Sequence, residues 1–273
     1  MGTDRQLDTL TGKTVLISGA SGGIGRALAL ELSQPGARLA LNARDAARLA
    51  ATAGECTARG ATVLAVAGDV SRSDDCTALV AQTIARFGSL DVLVNNAGVT
   101  MWGRFDALSD LTVFGRLLAV NYLGAVYLTS AALPHLRRSR GLIVAVASVA
   151  GLTGVPERTG YAASKHAMIG FFESLRIELR GCGVGVTIVA PDFVASGLHR
   201  HALGSDGRPY DAGPLAEAHV MSSEQCARLI ARAMRRRQRL LITSARGRFA
   251  RWARLLAPTL VDRLAAHAIR TRR

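Results

Sequence analysis

The sequence predicts an α/β chain: a doubly wound parallel sheet of about seven strands, helices on both faces, and a helical extension at the C-terminus. Short apolar runs alternate with helical stretches along most of the chain, as parallel strands with crossover helices require. The first apolar run passes through a glycine-rich turn straight into a helix. The length, 273 residues of which 49% are hydrophobic, suits one large domain with a sizeable core better than two small ones.

Lys13 to Ser18 reads as the first strand, followed by Gly19-Ala20-Ser21-Gly22-Gly23-Ile24-Gly25 and a helical run through Leu32. Strand, glycine turn and helix start make a phosphate cradle. Backbone N–H groups at the helix N-terminus point at the anion, and the missing Cβ atoms let phosphates approach. The spacing is G-x-x-x-G-x-G rather than G-x-G-x-x-G, and a glycine turn alone can serve only to allow positive φ. The strand before it and the helix after it favour the nucleotide reading. Arg38 to Asn42 is the second strand. An acid at its end would bind the ribose 2′-hydroxyl of NAD, but Ala43 stands there and Arg44 follows. A guanidinium without that acid favours a 2′-phosphate, hence NADP(H) over NAD. The alternative is a solvated Arg44 paired with Asp45.

Thr62 to Ala67 makes the third strand and ends in Gly68-Asp69-Val70; Asp69 either accepts from an adenine amino group or caps the next helix. Asp91 to Val94 is the fourth, ending in Asn95-Asn96-Ala97-Gly98. Those amides either satisfy backbone groups and shape a turn over the nicotinamide ribose, or contact the ligand directly. A helical run from Phe114 to Leu136 carries Asn121 among Leu117, Leu118, Val120, Leu123 and Val126. An amide in that setting needs partners; it is either a satisfied core group or the holder of a water.

Ile143, Val144 and Val146 form the fifth strand, which places Ser148 just past its carboxyl end, where open α/β sheets bind ligands. Downstream, Ala167, Phe171, Leu175 and Leu179 recur at helical spacing, and Tyr161 and Lys165 lie one turn apart on one face of that helix. A free phenol titrates near ~10, too high for a base at neutral pH. A neighbouring ammonium stabilises the phenolate, so the oxygen can give or take a proton near neutrality. Of 34 basic residues only Lys13 and Lys165 are lysine, so a compact ammonium beside Tyr161 stands out against a background of arginine. The bland alternative is an exposed lysine opening a helix. Val184 to Ala190 is the sixth strand, ending in Pro191-Asp192-Phe193-Val194-Ala195-Ser196. Residues 196–221 mix Gly, Pro, His and Asp, as a lid or binding loop does; His199 and His201 lack a third ligand, so no metal site is predicted. Ser222 to Arg237 returns to helix behind a Ser222-x-x-Gln225 capping box, and Leu240 to Thr243 is the last strand.

Cys56, Cys76, Cys182 and Cys226 have no paired spacing and read as inert thiols in a reducing cytoplasm. No uninterrupted apolar run approaches the ~18–20 residues of a membrane span, and Met1 to Leu10 lacks a signal-peptide core. The net charge of +14 is concentrated: residues 235–273 hold twelve Arg against one acid, Asp262. Basicity therefore concerns the tail and not the body. There Phe249, Trp252 and Leu256 share one helical face, Arg248, Arg251 and Arg254 lie away from it, and Pro258 separates two helices. The pattern fits an interfacial membrane helix, a helix packed over the cleft, or a subunit contact. Nucleic acid ranks low, because the Arg residues interleave with a coherent apolar face.

Together these stretches resemble the short-chain dehydrogenase/reductase family, in its shorter single-domain branch, over about residues 12–243. Gly19, Gly23, Gly25, Asp69-Val70, Asn95 to Gly98, Asn121, Ser148, Tyr161 and Lys165 carry the resemblance. It implies a Rossmann-type catalytic domain over residues 1–243, with 196–221 as substrate loop and 244–273 as a basic amphipathic tail. It also implies a cytoplasmic homodimer or homotetramer. Tyr161 would be the acid/base, Ser148 would hold the substrate oxygen, Lys165 would tune Tyr161 and grip the ribose, and Asn121 would anchor a relay water. Cofactor contacts would come from Gly19, Ser21, Gly23, Ile24, Gly25, Arg44, Asp69, Val70, Asn96, Ala97, Gly98, Tyr161, Lys165, Pro191, Val194 and Ser196. Hydride would pass between the nicotinamide and a carbonyl or alcohol of a lipophilic ketone, aldehyde, sterol or retinoid. Ser18 replaces the usual Thr, Ser196 fills the usual Thr place, and Asp192 stands where Pro-Gly is usual. The competing class is a non-catalytic NADP-binding sensor or scaffold whose tail docks a membrane or nucleic acid; such a protein has no need of a proton relay.

Overall fold

The computed structural model describes residues 11–198, 202–204, 206–210 and 220–270. His199 and His201 lie outside them, as does much of the 196–221 loop. Strands β1 (Thr14–Ser18), β2 (Arg38–Ala43), β3 (Thr62–Ala67), β4 (Val92–Asn95), β5 (Leu142–Val146) and β6 (Gly185–Ala190) follow the expected runs to within a residue or two. Four short strands come next: β7 (Val194–Ala195), β8 (Ala202–Leu203), β9 (Pro209–Tyr210) and β10 (Met221–Ser222). The chain then reaches β11 (Leu240–Ile242). One seven-stranded sheet has the order β11-β6-β5-β4-β1-β2-β3, and every pair in it is parallel. The order reverses between β1 and β4, and open α/β sheets bind ligands at such a switch point. Asp91 falls just outside β4. Its carboxylate accepts from the Lys13 ammonium (2.9 Å) and the Thr14 N–H (3.0 Å), fastening the start of β1 to its neighbour.

Alternation along the strands sends side chains to opposite layers. Val15, Ile17, Leu39 and Leu41 pack with helices α1 (Gly23–Leu32), α2 (Ala46–Ala58) and, from later in the chain, α7 (Ser223–Arg235). Leu16, Leu93, Ile143 and Ile188 face the other layer, made by α3 (Ser73–Phe87), α5 (Gly124–Ser139) and α6 (Thr159–Glu178), where Phe172 is fully buried. The capping box forms as expected: Ser222 Oγ accepts from Gln225 N–H, and Gln225 Oε1 accepts from Ser222 N–H, both at 3.1 Å.

The helical run around Asn121 is longer and less regular than its apolar pattern indicates. Helix α4 (Thr112–Leu118), a π-helical turn at Ala119–Leu123 and α5 form one rod, Thr112–Ser139. By length and composition this rod could cross a membrane; here it packs against α3 and α6. The tail makes two helices, α8 (Ala245–Leu256) and α9 (Pro258–Arg270), packed on each other. Pro258 opens α9, where its missing N–H costs nothing.

Candidate active site

A cleft of about 910 Å³ runs across the carboxyl ends of β1, β2, β4, β5 and β6. At one end stands the glycine turn. A Cβ on Gly25 would lie 2.2 Å from the Gly19 carbonyl oxygen, and one on Gly23, at φ +51°, would lie 2.7 Å from the Ser196 carbonyl oxygen. The turn is therefore closed to side chains, and its backbone is left to face the cleft, as a phosphate cradle requires. Ser18 joins the first strand to the fourth through its hydroxyl. Its Oγ accepts from the N–H groups of Asn96 (3.0 Å) and Ala97 (3.1 Å) and donates to Val94 O (3.3 Å). Asn96 Nδ2 donates to Ser18 O and Gly19 O, and Asn95 Nδ2 donates to Thr129 Oγ1. Asn96 thus satisfies backbone groups at the start of the glycine turn and also lines the cleft, while Asn95 is tied to a side chain of α5.

Beyond the cradle, Arg44 and Arg48 are exposed and line the cleft where β2 ends. The pairing of Arg44 with Asp45 does not form: Asp45 caps α2 by accepting from Arg48 N–H at 3.0 Å. Asp69 accepts from the N–H and hydroxyl of Ser71, so its carboxylate closes the turn ahead of α3 instead of capping the helix. Two expected site residues, Gly25 and Asn121, stand behind the lining; the others are in it.

At the far end lie Ser148, Tyr161 and Lys165, all buried at the cleft wall. Ser148 follows β5, where its Oγ accepts from Ala150 N–H at 3.1 Å. Tyr161 enters from the first turn of α6, and its hydroxyl has no hydrogen-bond partner among the described residues. One turn on, Lys165 Nζ donates to Val146 O (3.0 Å) and lies 5.9 Å from the Tyr161 ring centroid. Burial, and then the charge of Arg158, push Lys165 down to about 8, so it remains mainly an ammonium at neutral pH. Asn121 takes the core-amide role. Its Oδ1 accepts from Val99 N–H, and Nδ2 donates to Val99 O and Ser164 Oγ, at 2.8–2.9 Å. Both amide protons are engaged within the protein, so the side chain joins the segment after β4 to α6. Asn121 is fully buried in the middle of the π-helical turn, and such turns are frequent at functional sites.

The sequence reading missed two contributors. Arg158, three residues before Tyr161, is buried with its guanidinium carbon 4.2 Å from the Tyr161 ring centroid and 5.4 Å from that of Trp102. It donates to Thr100 Oγ1. Its spacing from Tyr161, i to i+3, was the available signal. The tail, for which packing over the cleft was one of the expected arrangements, does line it, through Phe249, Ala250, Ala253 and Val261. The second contributor is the latch that holds the tail there. Asp192 accepts from Ser244 Oγ (2.6 Å) and from both Nε and Nη2 of Arg246 (3.2 and 2.8 Å). Burial raises the Asp192 carboxyl, but the Arg246 and Ser244 donors, the Arg246 charge and the Phe193 N–H outweigh it, and the net shift is downward. The departure from Pro-Gly at this point is thus the anchor of α8.

A nucleotide-sized cleft with a closed glycine cradle at one end and Ser, Tyr and Lys at the other defines a nicotinamide-dependent oxidoreductase of the doubly wound α/β class. The chain belongs to the short-chain dehydrogenase/reductase family: residues 13–204 match the family described as short chain dehydrogenase. It is 40% identical over 265 residues to an 11-beta-hydroxysteroid dehydrogenase 1A of Arabidopsis thaliana, covering 93% of this chain and 75% of that one. To an 11-beta-hydroxysteroid dehydrogenase A of Sesamum indicum it is 36% identical over 267 residues, with the same coverage. Among solved structures, a short-chain dehydrogenase/reductase from Burkholderia phymatum in complex with NAD superposes with a TM-score of 0.79 at 29% identity, covering 90% of this chain and 95% of that one. An alcohol dehydrogenase from Thermococcus sibiricus complexed with 5-hydroxy-NADP gives 0.72 at 28% identity, covering 84% and 95%. The chain is an NAD(P)-dependent dehydrogenase/reductase acting on CH–OH and C=O groups.

Proposed function

We propose that the protein uses NADP(H) to interconvert a carbonyl and an alcohol on a lipophilic substrate, with Tyr161 as acid/base. When bound, the nicotinamide supplies or accepts the hydride. Tyr161 donates a proton to, or takes one from, the substrate oxygen, which Ser148 Oγ also holds. Lys165 remains charged behind the phenol and offsets negative charge developing on its oxygen. Asn121 acts through position, tying the β4 end to α6 by way of Val99 and Ser164. The observation that carries this reading is the free Tyr161 hydroxyl at a cleft wall shared with Ser148 and Lys165.

Two exposed guanidinium groups, Arg44 and Arg48, beside an acid-free β2 end support NADP(H) over NAD. A carbonyl panel followed by cofactor absorbance with NADPH and then NADH tests both halves. Arg44→Ala is expected to weaken NADPH by roughly tenfold while leaving NADH nearly unchanged. Equal use of both cofactors by the unaltered protein ends the NADP proposal. Apolar tail residues lining the cleft support a lipophilic substrate, and the relatives' names, 11-beta-hydroxysteroid dehydrogenases, agree with one.

The tail also supports a peripheral membrane contact. Phe249, Trp252, Leu255 and Leu256 are 64–84% exposed beside exposed Arg248, Arg251 and Arg254. Apolar side chains with flanking arginines suit an anionic lipid surface. Flotation with anionic vesicles is expected for the full chain and lost in the double variant Trp252→Glu, Leu256→Glu; no flotation of the full chain discards the idea. Exposed Leu118, Leu123 and Ile177 on the α4–α5 rod and α6 support a homodimer through that layer.

A further inference from the structure

Arg158 is left over by the chemistry proposed above. It is 5% exposed, forms none of the ion pairs found among the described residues, and its Nε is buried without a hydrogen-bond partner. Its charge lies against the Tyr161 ring and near that of Trp102, and its hydrogen bond is to a neutral hydroxyl, that of Thr100. Burying a guanidinium without a counter-ion costs several kcal/mol on general grounds. A Met or Leu would fill the same space without that cost. Burial lowers the Arg158 pKa, and interaction with Tyr161 only partly opposes it.

The surroundings indicate what would compensate the charge. Arg158 lines the cleft with Trp102, on the side where the reacting group would sit against Tyr161. Lys165 is a second buried cation nearby, and the two charges repel, as the Lys165 shift records. The acids in the cleft lining are all committed elsewhere: Asp45 and Asp69 to backbone N–H groups at the nucleotide end, Asp192 to Arg246. This end of the cleft is thus low in dielectric, positive and short of acceptors.

We infer that Arg158 is a specificity-determining residue that binds a second oxygen of the substrate, a carboxylate or a strongly dipolar keto oxygen lying about a ring's width from the reacting carbon. The inference rests on the carbonyl–alcohol reading of the site and narrows its substrate class to oxo acids or dioxo compounds with an apolar body. Trp102 and the Tyr161 ring hold the guanidinium plane in place, so little ordering is needed when the oxygen arrives.

The test uses the full chain with NADPH and a matched pair of ketones, 4-oxocyclohexanecarboxylate and 4-tert-butylcyclohexanone. The ratio of kcat/KM for the acid over the apolar ketone is expected to fall at least tenfold in Arg158→Met. It should fall less in Arg158→Lys, which keeps the charge. If both rates drop together and the ratio holds, Arg158 merely braces Tyr161 and the inference is overturned; an unchanged ratio with unchanged rates overturns it equally. Binding of cyclohexanecarboxylate to the NADP-loaded protein, followed by tryptophan fluorescence, supplies a readout independent of turnover. Saturable binding lost in Arg158→Met supports the site even if neither ketone is reduced, an outcome that would count against the proposed reaction alone. No binding to the unaltered protein overturns the inference.

Discussion

The two ends of the cleft are built in different ways. The nucleotide end is mainly backbone: a strand, a turn with no room for a Cβ at Gly19, Gly23 and Gly25, a helix start, and the Asn96 and Ser18 side chains that stitch β1 to β4, with Arg44 and Arg48 at its rim. The substrate end is made of side chains from segments far apart in sequence: Trp102 and Arg158 around Tyr161, Asp192 and Arg246 between β6 and α8, and Phe249 and Ala253 on the tail. A backbone cradle tolerates little change and serves a common ligand. A wall of side chains can be altered one residue at a time, so substrate selectivity resides there.

The largest effect should come from the reacting group. Tyr161→Phe removes one oxygen and is expected to reduce NADPH-dependent carbonyl reduction by ~10²–10⁴-fold. Nucleotide affinity, measured by fluorescence titration, should hold. Unchanged turnover would remove Tyr161 from the mechanism and leave the two ends unequal in structure only.

Next comes the cradle. Gly25→Ala places a Cβ 2.2 Å from Gly19 O and 2.4 Å from Asn96 Nδ2. Overpacking of this kind costs about 1–3 kcal/mol, and nucleotide binding should weaken by tenfold or more. Gly54→Ala, in α2 with nothing within 4 Å of the added Cβ, is the control. It should leave binding alone and raise stability by ~0.4–1 kcal/mol. Equal effects of the two substitutions would show that the cradle is not closed.

The smallest effect belongs to the latch. Asp192→Gly removes the acceptor of Arg246 and Ser244. Arg246 is 69% exposed, which screens its share, so about 1–2 kcal/mol and a midpoint lowered by roughly 2–6 °C are expected. Limited proteolysis should cut α8 faster, and KM for bulky ketones should rise more than KM for small ones. Because the folded carboxyl titrates below its ordinary 3.8, the stabilisation is complete above that value and is lost as pH falls through the lowered one. The variant and the unaltered chain should therefore converge in stability at the acid end. A constant difference down to the lowest pH would separate Asp192 from the latch.

What could be read along the chain was whatever repeats or is spaced locally. Strand alternation, the glycine turn at Gly19 to Gly25, the Ser222–Gln225 box and the one-turn spacing of Tyr161 and Lys165 are contacts between near neighbours, fixed by strand and helix geometry. Even so, local spacing left choices open. It offered two uses for Asn96 and two for Asn121 and could not show the packed neighbours that hold each amide, Ser18 and Gly19 in one case, Val99 and Ser164 in the other. Asp192 read as a defect in a turn until Arg246, more than fifty residues later, was brought against it. Arg158 read as one arginine among many until folding removed its water and set two aromatic rings on it. Periodicity follows from the backbone and is written in order along the chain; burial and long-range pairing depend on which surfaces meet, and those come into being only when the sheet and its layers close.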